Sequence, residues 1–194
     1  MERPIKVAVF DPEDMDMGLK IISFVETPAI GFEAIKMSEQ TEIKLEIQDE
    51  EERIIFTPIL IPDQKIYRNI KGEEFDLVFP KEVIKQILIQ FSKKNINSNV
   101  DVNHSEELIK GATFFEFFLK DSRRAKSVGN YDELPDGTMF GSAKVENDEV
   151  WADIKAGKIK GVSIDGMFKT VPKKTELSQE DVDTILEITK NFIQ

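Results

Sequence analysis

The chain has 194 residues, 40% of them hydrophobic, with 26 Lys and Arg against 37 Asp and Glu, a formal net charge of -11, no cysteine and one histidine. Such a length and apolar share can bury a core as one domain, or as one domain with separable ends. The missing cysteines exclude a disulfide framework, a thiolate nucleophile and a thiolate metal site, the lone histidine speaks against zinc, and the negative charge disfavours nucleic acid in favour of neutral or basic protein partners. No apolar run approaches the roughly 18 residues that cross a bilayer, and Met1-Glu2-Arg3-Pro4 does not open a signal peptide, so a soluble intracellular protein is expected.

In chain order, Lys6 to Phe10 and Leu19 to Val25 read as strands of apolar β-formers, and Val25 to Gly31 as a turn leaving the sheet. Glu42 to Ile47 alternates charged and apolar residues, the pattern of a strand with one wet face, and Gln48 to Glu52 is an acidic turn. Arg53 to Pro62 is strand-like, but its prolines cannot donate to a ladder, so it belongs at a sheet edge or a bulge. A polar hairpin around Asn69 to Glu74 leads into a strand at Phe75 to Phe79. Pro80 then opens a helix running to about Lys93, with Val83, Ile84, Ile87, Leu88 and Phe91 as its buried stripe.

A turn rich in Asn and Ser, Asn95 to Asn99, delivers the chain to Val100-Asp101-Val102-Asn103-His104. Gly111 to Leu119 is a strand that sets Glu116 among four phenylalanines, and the short Ser105 to Lys110 connection predicts that it pairs antiparallel with the histidine segment. Lys120 to Pro135 reads as a mobile polar loop, Asp136-Gly137 as a turn and Thr138 to Glu146 as a strand. Asn147 caps a helix over Asp148 to Ala156 with Val150, Trp151 and Ile154 on one face, and Gly157 ends it. A linker over Val171 to Thr175 and a helix capped by Ser178 to Asp181 follow, dividing the chain into a body at 1–170 and an end at 171–194.

The chemistry lies in two segments on either side of the Asp148 to Ala156 helix. Gly161-Val162-Ser163-Ile164-Asp165-Gly166 is a strand with a central serine, and His104 is the one side chain whose ordinary pKa lies near neutrality. A serine hydroxyl becomes a nucleophile when a base within hydrogen-bond reach takes its proton, and a third group commonly orients that base. The flanking glycines let a substrate backbone approach the strand closely.

The order Asn103-His104, Gly111 to Glu116, Val145 to Trp151 and then Gly157 to Gly166 resembles the XkdF-like prohead proteases of tailed phages and defective prophages, which are related to larger phage maturation proteases and more distantly to herpesvirus assemblins. Glu26 to Gly31 and Ile59 to Arg68 share the resemblance, which spans roughly residues 20 to 170. It implies an α+β fold, a mainly antiparallel β barrel or curled sheet with a few peripheral helices. It also implies a serine endopeptidase that works without cofactor or metal inside the immature capsid in the host cytoplasm, cutting scaffold protein, capsid-protein extensions and itself. Ser163 is then the nucleophile and His104 the base. Assemblins use a second histidine as third member, and this chain has none to offer, so a carboxylate must serve or the site is a dyad. Glu116 is preferred, with Asp165, two residues from Ser163 on the same strand face, as the alternative. A structural phage protein that keeps the fold without turnover, and a small ester hydrolase using the same dyad, are the competing readings.

Overall fold

A computed structural model describes residues 3–11, 13–14, 16–28, 44–124 and 127–173. The helix expected after Ser178 and the end of the turn at Ala29 to Gly31 lie outside those residues. The strands are β1 (Ile5–Val9), β2 (Gly18–Val25), β3 (Glu46–Asp49), β4 (Ile54–Leu60), β5 (Ile66–Ile70), β6 (Glu73–Val78), β7 (Val100–Val102), β8 (Ala112–Leu119), β9 (Met139–Val145), β10 (Gly161–Met167) and β11 (Lys169–Pro172). Two α-helices, α1 (Lys81–Lys94) and α2 (Asp148–Lys155), and a 3-10 turn at Gly129–Tyr131 accompany them among the described residues.

Among the described residues the strands form three hydrogen-bonded sheets, ordered β11-β1-β6-β5, β10-β2-β7 and β3-β4-β9-β8. The fold is α+β and mostly β, and the sheets of the described residues do not close into the barrel that is one of the two expected forms. Most pairings are antiparallel, but β1 with β6 and β2 with β7 run parallel.

Local chemistry accounts for the turns. The β5–β6 hairpin turns through Lys71 and Gly72, both at positive φ, and the Asn69 side chain accepts the Gly72 N–H at 3.1 Å. In β4 the proline problem is met by a bulge between Pro58 and Leu60, which lets the strand lie inside its sheet between β3 and β9 rather than at an edge. Asn147 caps α2 by accepting the Val150 N–H. The segment expected as a mobile loop is pinned at Tyr131, which is buried against Phe56 and Phe140 and donates its hydroxyl proton to the Lys44 carbonyl. Strand β11 carries ladder pairing through Val171 and Pro172, where the linker was expected to begin.

The core lies where α1 and the inner faces of the sheets meet. Phe24, Phe91, Phe114, Ile22, Ile84 and Ile87 are essentially without exposure. Phe114 stacks on Phe24 and Phe117 with centroids at 6.2 and 5.7 Å, tying the β2 sheet to the β8 sheet. Phe114→Ala is therefore expected to lower unfolding stability by about 3–5 kcal/mol, seen as a lower urea midpoint with an unchanged slope.

Candidate active site

The site is built on the sheet β10-β2-β7. Alternation along these strands sends Val162, Ile164, Ile22, Phe24 and Val100 into the core, and leaves Ser163, Asp165, Ser23 and Asp101 on the opposite face. Register then fixes their neighbours: Ser163 lies opposite Ser23, and Ser23 beside Asp101. Ser163, Ser23 and Asp101 thus form one polar row across the sheet, at about 4.8 Å per strand.

His104 reaches over this row from the turn after β7. Asn103, His104 and Glu106 all have positive φ, 52°, 56° and 62°, a conformation that costs non-glycine residues on the order of 1 kcal/mol or more each. Surrounding hydrogen bonds hold it. The Asn103 N–H donates to the Phe24 carbonyl at 2.9 Å, its side-chain oxygen accepts the Glu26 N–H at 3.2 Å, and the buried Asp101 carboxylate accepts the Glu106 N–H at 2.9 Å. The other Asp101 oxygen is buried with no hydrogen-bond partner in the described residues.

The imidazole meets a carboxylate. His104 Nδ1 lies 2.6 Å from Asp165 Oδ2 and 3.1 Å from Ser23 Oγ, and Ser23 Oγ lies 3.5 Å from the same Asp165 oxygen. An ionised carboxylate only accepts, so the Nδ1 proton belongs to the Asp165 contact and Nε2 is left as the basic nitrogen. The His104 and Asp165 side chains are 41% and 42% exposed, so a macromolecule can reach the pair from solvent. Arg68 of β5 adds a positive charge: burial lowers its pKa, and the Asp165 charge opposes that shift. Ser163 is 5% exposed, and its hydroxyl has no hydrogen-bond partner among the described residues.

Glu116 lies elsewhere. It sits on β8 in the third sheet and accepts the Ser142 hydroxyl proton at 2.6 Å. The pairing expected between the histidine segment and this strand does not form, because β7 pairs with β2 and β8 with β9. The glycines beside Ser163 also have a local cause. A Cβ on Gly161 would come 2.9 Å from the Pro28 ring, and one on Gly166 2.3 Å from the Gly18 carbonyl, at the bulge that follows Asp165. They are packed against the chain itself rather than held open for a substrate. Among the described residues, no group of three or more His, Asp or Glu could hold a metal ion.

Residues 42–172, two thirds of the chain and the segment that carries His104, Ser163 and Asp165, match the family model described as "Putative phage serine protease XkdF". The chain belongs to this family. No curated protein and no solved structure matches it. In this XkdF-family chain the matched segment begins after β2, yet β2 is the central strand of the site sheet. Ser23, which sequence reading passed over as an ordinary strand residue, enters the site through that strand alone.

Proposed function

We propose that this phage protease family member is a serine endopeptidase of prohead maturation, acting inside the immature capsid on scaffold protein, capsid-protein extensions and itself. The observation that supports it most is the 2.6 Å contact between His104 Nδ1 and Asp165 Oδ2, made two residues along one strand face from Ser163.

The proton path follows from that contact. Asp165 holds the Nδ1 proton, so Nε2 is free to take the Ser163 proton as Oγ attacks the scissile carbonyl carbon. The imidazolium that forms is stabilised by the adjacent carboxylate and then protonates the leaving amine. Water, deprotonated by the same Nε2, hydrolyses the acyl-serine ester and restores the hydroxyl. Among the described residues the ring's hydrogen bonds are those of Nδ1 to Ser23 and Asp165; catalytic hydrogen bonds are often long or unformed in unliganded sites, and the mechanism requires Ser163 Oγ and Nε2 to meet when substrate binds.

Incubating the purified chain with the scaffold and major capsid proteins of its own phage, and following fragments on a gel, tests the reading. Discrete fragments are expected, and their absence at every pH would leave a protein that keeps the fold without turnover. The cleavage rate is expected to fall on acidification, because a protonated imidazole cannot accept the serine proton. A flat profile between about pH 5 and 8 would remove histidine from the mechanism.

A further inference from the structure

Ser23 has no assigned role, and its position is unusual for a strand serine. It is completely buried, lies directly opposite Ser163 in the β2–β10 register, and has its hydroxyl 3.1 Å from His104 Nδ1 and 3.5 Å from Asp165 Oδ2. The three side chains close a triangle around one proton. Two chemistries fit a hydroxyl there. It could be a second nucleophile, or it could hold the ring.

The tautomer decides between them. The shorter contact, 2.6 Å to a carboxylate, keeps a proton on Nδ1, and a nitrogen that carries a proton cannot take another from Ser23. Ser23 Oγ can only accept a share of the Nδ1–H bond while its own O–H donates to the Asp165 oxygen. That arrangement fixes the ring from a second side, from strand β2, whereas His104 itself is carried by the turn after β7.

We infer that Ser23 is a positioning residue: it shares the Nδ1 proton of His104 with Asp165, shields that proton from water, and so keeps the ring in the tautomer that leaves Nε2 as the basic nitrogen. The inference rests on the serine-protease reading for its kinetic consequence but not for its structural one. It also places β2, outside the family match, within the working site.

The test is Ser23→Ala in the full chain, read two ways. Because the protein has one histidine, the Nδ1 proton gives a single assignable NMR signal. It is expected to be sharp in the wild type and broadened by exchange with water in Ser23→Ala, with the far-UV circular dichroism unchanged. On a scaffold-derived peptide the variant is expected to lose on the order of tenfold in kcat with KM unchanged, the scale of one lost hydrogen bond. An equally sharp signal together with an unchanged kcat would overturn the inference. So would inactivation as complete as that of Ser163→Ala, which would make Ser23 the nucleophile. If the wild type cleaves nothing, the protease reading fails, and the NMR comparison still decides whether Ser23 guards the Nδ1 proton.

Discussion

Ser163→Ala is expected to abolish cleavage, a loss of roughly five to six orders of magnitude, while leaving the fold as stable as before. The loss is this large because nucleophile, base and orienting group act as a unit, so removing the hydroxyl removes the covalent route altogether. The fold should not register the change. Strand β10 is held by its ladder with β2 and by the burial of Val162 and Ile164, whereas the Ser163 hydroxyl makes no hydrogen bond among the described residues. Deleting an unpartnered, largely buried hydroxyl changes stability by no more than about 1 kcal/mol, and in the stabilising direction. Gel-based cleavage rates and urea unfolding of the two proteins side by side check both halves. Cleavage at the wild-type rate would exclude Ser163 as nucleophile.

The second large effect is expected at Asp165. Asp165→Asn offers Nδ1 an amide that can donate as well as accept, so the ring is free to adopt the tautomer in which Nε2 carries the proton and cannot act as base. A loss of about 10⁴-fold in kcat is the scale for this change in serine proteases. Glu116→Gln is the matched control. It is expected to leave kcat within about twofold and to cost at most about 1 kcal/mol of stability, because its carboxylate serves a hydrogen bond from Ser142 on a neighbouring strand. The reverse ranking, severe at Glu116 and mild at Asp165, would contradict the geometry around His104.

The contrast between these two carboxylates also marks where sequence reading reaches and where it stops. Properties fixed by neighbours along the chain were legible: the stripe of α1, the Asn147 cap of α2, the proline-driven bulge in β4, and the shared face of Ser163 and Asp165. Properties fixed by partners far away were not. The short connection after His104 predicted a hairpin with the Glu116 strand. The chain instead crosses from one sheet to another there, because β7 completes its ladder with β2, whose Phe24 stacks on Phe114 across the core. A bulge between Phe114 and Glu116 further shifts the alternation of that strand. Ser23 gave no signal at all, since only the register of β2 against β10 brings it to the imidazole. The glycines of the Ser163 strand were recognised, but their cause is close packing against Pro28 and Gly18, more than a hundred residues upstream.

The central claim, that Ser163 is the hydroxyl activated by His104, is tested most directly by treating the protein with an organophosphorus fluoride, which phosphorylates an activated serine, and mapping the modified residue by peptide mass. A single adduct is expected on Ser163, absent from His104→Ala and strongly reduced in Asp165→Asn. An adduct on Ser23, or an unmodified Ser163 in a protein that cleaves its substrate, would contradict the account.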